Sequence, residues 1–272
     1  MNVVIKKEKQ LTVIFGNLKN NYYINIVINK LDLQSIISKY YLNGMNEAVK
    51  WEIKDKKLII KFTSPNKMMI GMVTYDGMDL EDSIIGVSNT TQLNKLIAIT
   101  NGYVNLEYIK NHKLITKLII SDNQFTTNYA LADTMIIPKP GEYIGDGVYN
   151  IEADLDNESI NAIVKAKSAL ADSETVVFKP FINDDGDLQL EMQFGGDMEH
   201  SNKVSFYLSD IKTTDLPNNF VSHYVSDLIR EVMYCNKDVA SGKMSINLDG
   251  IMKLEFDSGN LKSEYFIIAK EL

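Results

Sequence analysis

The chain has one cysteine, Cys235, one tryptophan, five prolines and three histidines among its 272 residues. A single cysteine excludes an intrachain disulfide framework and a cysteine zinc cluster, and it fits a reducing compartment. The histidines, His112, His200 and His223, lack metal-ligand spacing. No apolar run approaches the roughly 18 residues that cross a bilayer. Met1 to Lys9 lacks the apolar stretch and small-residue cleavage site of a signal peptide. The expected setting is the cytoplasm, with no membrane partner. No phosphate-binding glycine loop, nucleophile elbow or dinucleotide fingerprint occurs. Asp184, Asp185 and Asp187 resemble part of a calcium loop, but no glutamate stands at the twelfth position, so a solvated turn is the better reading. No metal, cofactor or catalytic residue is expected, which argues against an enzyme.

Positive charge is scarce too. There are 28 Lys and Arg against 36 Asp and Glu, a net charge of −8. A general nucleic-acid binder makes its phosphate contacts with Lys and Arg and is usually basic. The balance argues against tight, independent DNA binding. It does not exclude a protein that gathers a few cations on one surface, because the local field matters more than the sum.

What the sequence does contain is short amphipathic helices set among alternating strands. Leu33, Ile36, Ile37 and Tyr40 make one apolar helical stripe; Leu93, Leu96 and Ile97 make a second. Ile160, Ile163 and Val164, extended by Leu170, make a third, and Val225, Leu228, Ile229 and Val232 a fourth. Asp32, Asn89 and Asp156 or Asn157 are the expected caps of the first three. Strands are read at 22–28, 57–62, 68–75, 104–108 and 114–120, and again at 175–181, 188–194, 203–208, 243–248, 252–256 and 263–268.

The two halves repeat one another. A displacement of 127 positions brings Leu33, Ile36 and Ile37 onto Ile160, Ile163 and Val164. The second helices register at 132, with Leu93 on Val225, and the closing strands at 136, with Tyr129 on Tyr265. A period this long indicates a duplicated domain, since solenoids repeat at about 20–50 residues. The expected class is α+β: two tandem similar domains, each with two helices packed on antiparallel sheet. The boundaries are 1–135 and 148–272, with 136–147 as an interdomain linker holding Pro138 and Pro140.

The segments His223 to Ile229, Gly242 to Asp249, Met252 to Phe256 and Leu261 to Lys270 resemble the last helix and final hairpin of PCNA. Asn157 to Leu170 is similar in type to a helix of tailed-phage clamps. The chain thus resembles a sliding clamp, and the richness in Asn, Ile and Lys favours a bacteriophage origin. Residues 1–20, with the strand-like Leu11 to Phe15, precede the usual start of such chains and are read as an extra hairpin or edge strand.

The resemblance implies a homotrimeric ring around double-stranded DNA, without sequence preference, that tethers a DNA polymerase through its C-terminal peptide. It also implies a separate ATP-driven clamp loader. The cations that helical spacing turns away from the apolar stripes would face DNA: Lys95, Lys165, Arg230 and Lys237, with Lys39 to one side and Lys167 near an apolar edge. Met135, Ile136 and Ile137, with Ile251, Phe266, Ile268 and Ala269, would wall the partner-peptide groove. Two other readings stand beside this one. One is a monomeric clamp-like DNA binder; the other is a phage structural or assembly protein with a duplicated β-rich domain.

Overall fold

The structure is a computed structural model that describes residues 23–111, 114–142, 147–196, 201–217, 219–239 and 241–270. The strand expected at 11–15 lies outside these residues, as do His112 and His200. The first half runs β1 (Tyr23–Asn29), α1 (Lys30–Tyr41), β2 (Val49–Lys54), β3 (Lys57–Thr63), β4 (Met69–Asp76) and β5 (Ser83–Val87). It continues with α2 (Thr90–Ala98), β6 (Tyr103–Asn111), β7 (Leu114–Ser121) and β8 (Thr126–Ala130). The second half repeats this order with one short added strand. It runs β9 (Ile151–Asp156), α3 (Asn157–Ala169), β10 (Thr175–Ile182), β11 (Leu188–Gly195), β12 (Lys203–Leu208) and β13 (Lys212–Thr213). Then come β14 (Ser222–Val225), α4 (Ser226–Cys235), β15 (Ser241–Ile246), β16 (Ile251–Asp257) and β17 (Leu261–Ile268).

All strand pairs are antiparallel, and three sheets result. Two have four strands, in the orders β1-β6-β7-β8 and β12-β11-β10-β14. The third has nine, in the order β13-β9-β15-β16-β17-β4-β3-β2-β5. It is a composite of both halves, joined where β17 pairs with β4. The alternation that marks each strand in the sequence places one row inward: Leu58, Ile60 and Phe62 on β3, and Met252, Leu254 and Phe256 on β16, are buried. The helices pack against the inward rows with the stripes read above, except that Val225 of the fourth stripe stands just before its helix.

Helix starts follow their caps. The Asn29 side chain, rather than Asp32, caps α1 by accepting from the Leu31 amide at 2.9 Å. Asn89 and Asp156 cap α2 and α3, accepting from Gln92 at 2.8 Å and Ser159 at 2.7 Å. The caps of α1 and α3 keep the displacement of 127. The starts of α2 and α4 are instead 136 apart, not 132. The Thr90 amide bonds the Glu47 carbonyl as the Ser226 amide bonds that of Glu174, so Leu93 corresponds to Ile229 and Val225 precedes its helix. An i, i+3, i+4 stripe maps onto itself after one turn, which is how sequence spacing alone slips by four residues.

Burial also sets an alkaline limit. Tyr40 and Tyr265 are wholly buried, and burial pushes both phenols well above the usual tyrosine value despite hydrogen bonds from Thr90 and Asn236. A phenol that ionises less readily when folded stabilises below its unfolded pKa of about 10 and loses that contribution above it. Thermal unfolding followed from pH 8 to 11 is therefore expected to show a falling Tm only beyond about pH 10. A flat profile would mean these phenols are hydrated in the native state.

Candidate nucleic-acid and peptide interfaces

α4 packs beside α3 of its own half and also touches α1 of the other. Its solvent side carries Asp227, Arg230 and Tyr234, followed by Lys237 and Asp238 in the turn beyond its end. Lys237 lies over the Tyr234 ring with its ammonium 4.1 Å from the centroid, and the Arg230 guanidinium is 6.0 Å from the same centroid. Arg230 also pairs with its neighbour Glu231. Burial raises the Glu231 carboxyl, and the Arg230 charge partly offsets it. Lys95 and Lys165 are exposed on α2 and α3.

Lys39 and Lys167 are placed otherwise. Their side chains are 1% and 2% exposed, and their ammonium groups turn inward to partners. Lys39 donates to the Cys235 carbonyl at 2.8 Å and to Asp238 at 2.7 Å, while Ser35 donates to the other Asp238 oxygen at 3.1 Å. Burial would lift the Asp238 carboxyl, but the bond and charge of Lys39 outweigh it and hold the group below the usual carboxylate range. Lys167 pairs with Asp227 at 3.2 Å and donates to the Ala171 carbonyl. Neither lysine offers its charge to a ligand on the helix side. Cys235, between these groups, has its thiol pushed up to about 12 by burial and by Glu231, which keeps it protonated and inert.

The outward face of the nine-stranded sheet is apolar where the halves join. Phe266 on β17 stands between Lys253 on β16 and Ile70 on β4; Ile268 stands opposite Ile251. Met72 is the next outward residue of β4, opposite Glu264. The chain leading into the linker runs beside β5, where the Ala132 amide bonds the Gly86 carbonyl at 2.9 Å and Ile137 packs against Gly86. It then crosses to β3 and β4: the Gly141 amide bonds Thr63 Oγ1 at 2.9 Å, and Gly141 lies over Ile70. A side chain on Gly86 would meet the Ala132 carbonyl oxygen at 2.3 Å, so the close approach of the linker requires glycine there.

No family model matches the chain, and no curated protein sequence matches it. Solved structures do. The chain is similar to PCNA from Entamoeba histolytica, with a TM-score of 0.72 at 13% identity over 92% of this chain and 98% of that one. It is similar to A. fulgidus PCNA bound to the C-terminal region of FEN-1, with a TM-score of 0.70 at 15% identity over 91% of this chain and 98% of that one. The PCNA2–PCNA3 complex of Sulfolobus tokodaii gives 0.67 at 10% identity over 91% and 99%. The chain has the PCNA clamp fold.

Within that clamp fold the expected groove residues separate into two groups. Ile251, Phe266 and Ile268 share one outward patch, with Ala269 beside Gly250 at its end. Met135 and Ile136 are 84% and 74% exposed at the start of the linker, and Ile137 is buried at 3%. Four strand spacings separate β5 from β17, about 19 Å, so the two groups are not facing walls of one narrow slot. Ile70 and Met72 on β4, beside β17, with Gly141 over Ile70, continue the patch toward the linker and are not among the groove residues expected from the sequence. Their signal was there: Met69 to Val73 is apolar on both faces, the pattern of a strand covered on both sides.

Proposed function

We propose that this chain is one third of a closed ring that encircles duplex DNA and tethers a DNA polymerase, itself performing no chemistry. The observation that carries the reading is the junction between the halves. β17 corresponds to β8, because Leu254–Tyr265 repeats Leu118–Tyr129. β4 corresponds to β12, because the pairs Ile60–Val73 and Phe62–Gly71 repeat as Met192–Phe206 and Phe194–Val204. Inside the chain β17 and β4 pair; their counterparts β8 and β12 are sheet edges among the described residues. Transferring the β17–β4 register to a second copy sets Phe125 opposite Leu208, Thr127 opposite Phe206 and Tyr129 opposite Val204. The contact is head to tail, and a ring closes it without leaving an edge. Three two-part chains would give six equivalent units.

Native mass tests this directly: three times the 30.8 kDa chain is expected, and a persistent monomer at micromolar concentration would sink the ring. Register is tested by cysteines. Thr127→Cys with Phe206→Cys should link neighbouring chains on oxidation, since directly opposed residues lie about 4.5–5.5 Å apart, within disulfide reach. Asn128→Cys with Phe206→Cys, one residue out of register, should link poorly.

Polymerase tethering is supported by the outward patch at the junction. An extended peptide of about six residues spans the interval from Phe266 to the linker start. Hydrophobic anchors on such a peptide would seat on Ile70, Phe266 and Ile268, as an apolar surface with a polar rim favours. Ile70→Glu should weaken binding of a polymerase C-terminal peptide at least about tenfold, with ring mass unchanged, because a carboxylate would be desolvated under the peptide. Unchanged affinity would remove the groove. Loading of a closed ring would fall to an ATP-driven loader supplied by other chains.

A further inference from the structure

The helix side of this molecule has few cations, and two of its lysines, Lys39 and Lys167, are withdrawn from solvent. Their partners give the withdrawal a use. Asp227 and Asp238 stand at the two ends of α4 with side chains 61% and 55% exposed, one in its first turn and one just past its last. α1 and α3 both contact α4, and each delivers one lysine to one of these acids. Residues 226–239 carry three carboxylates, Asp227, Glu231 and Asp238, against two cations, Arg230 and Lys237. Left to itself the segment would repel a polyanion. With Lys39 and Lys167 added, four cations stand against three carboxylates and the sign reverses.

We infer that Lys39 and Lys167 are electrostatic positioning residues: they cancel the acids at either end of α4, so that Lys237, Lys165 and the cation-flanked Tyr234 present a positive field to the phosphodiester backbone of duplex DNA. They do this without touching it. This rests on the ring reading above, in which the helices face DNA. The lysines are suited to the task by their placement. A buried ammonium cannot be lured away by a passing phosphate, so the acid stays neutralised while the ring moves. The exposed edge of each carboxylate lies within a Debye length, about 10 Å at 0.1 M salt, of anything bound against α4.

The test uses the intact ring and a fluorescently labelled duplex at low salt, with ring mass checked for each variant. Lys39→Met should weaken duplex binding about threefold, the effect of one uncancelled charge within a Debye length. Adding Asp238→Asn to Lys39→Met should restore wild-type affinity, because the charge sum is restored although the ion pair is not. The slope of log affinity against log salt should fall by less than one contact in Lys39→Met, because salt screens the uncancelled charge, and return to the wild-type value in the double variant, whereas Lys165→Ala should lower it by about one full contact. Failure of Asp238→Asn to rescue would overturn the inference and leave Lys39 a purely structural residue. Should Lys39→Met not fold, Asp238→Asn alone decides: about threefold tighter binding supports the inference, and unchanged binding overturns it. If instead Lys165→Ala and Lys237→Ala leave duplex binding untouched, the helices do not face DNA and the ring reading itself falls.

Discussion

A Phe125→Asp chain and a Phe206→Asp chain are each expected to be monomeric, and their equimolar mixture to contain a two-chain complex. Phe125 enters β8 and is 41% exposed; Phe206 is half-buried on β12. In the transferred register they lie on opposite edges, so each substitution spoils one edge and leaves the other whole. Losing a phenyl from a packed contact costs about 3–5 kcal/mol, and an aspartate in its place costs more. At 1.4 kcal/mol per tenfold, each contact weakens by at least about two decades. Each contact then receives one spoiled edge, so all three contacts of a ring are lost together. In the mixture one good β8 meets one good β12, and association stops at two because the outer edges are both spoiled. A self-complementary dimer contact could not behave this way, since each variant would spoil it from both sides. Mass photometry or native mass spectrometry reads the result. A mixture that stays monomeric would remove the head-to-tail contact.

The repeat that predicts this contact is legible in the sequence because inward rows are dictated by burial, and burial is dictated by apolar side chains. Leu33, Ile36 and Ile37 are buried, as are their counterparts Ile160 and Ile163. The α+β class and the antiparallel strands follow from the same alternation. What spacing does not reveal is which of two solutions a long side chain takes. Lys39 and Lys167 sit near the apolar edge of their helices, where a lysine either reaches outward along its stem or turns in to a carboxylate. Choosing requires knowing that α1 and α3 both contact α4, and that is a tertiary fact. The short strands β2, β5, β13 and β14 are likewise not among those read from the sequence, because two to six residues give too little alternation to separate from loop. Their pairing partners hold them: β2 lies between β3 and β5, and β14 closes on β10.

Tyr265→Phe is expected to lower stability by about 1–3 kcal/mol, although it removes a single oxygen. That oxygen joins three elements from both halves. It donates to the Lys39 carbonyl at 2.8 Å and accepts from Asn236 at 3.0 Å, and Asn236 in turn accepts from Ser263 at 2.8 Å. The Lys39 carbonyl lies in the last turn of α1, where carbonyls have no amide further along the helix to meet. Nothing wet can replace the phenol, because Tyr265, Asn236 and Ser263 are all buried. The ring itself is retained by phenylalanine, including its edge contacts with Phe62 and Phe256, each 6.2 Å between centroids, so the loss measures the hydroxyl alone. Opposite it on β4 is Gly71, where an added methyl would lie 2.2 Å from the Phe62 ring; the junction therefore cannot shift inward to compensate. The difference between wild type and variant should also depend on pH. Above about pH 10 the unfolded wild-type chain ionises its phenol while the folded one does not, so wild type loses up to about 1.4 kcal/mol per pH unit that the variant keeps. Urea unfolding at pH 8 and at pH 11 should therefore give a gap that narrows at the higher pH. A gap that stays constant would mean that the Tyr265 phenol ionises as readily folded as unfolded, so that water reaches it, and would loosen the junction between the halves that the ring reading depends on.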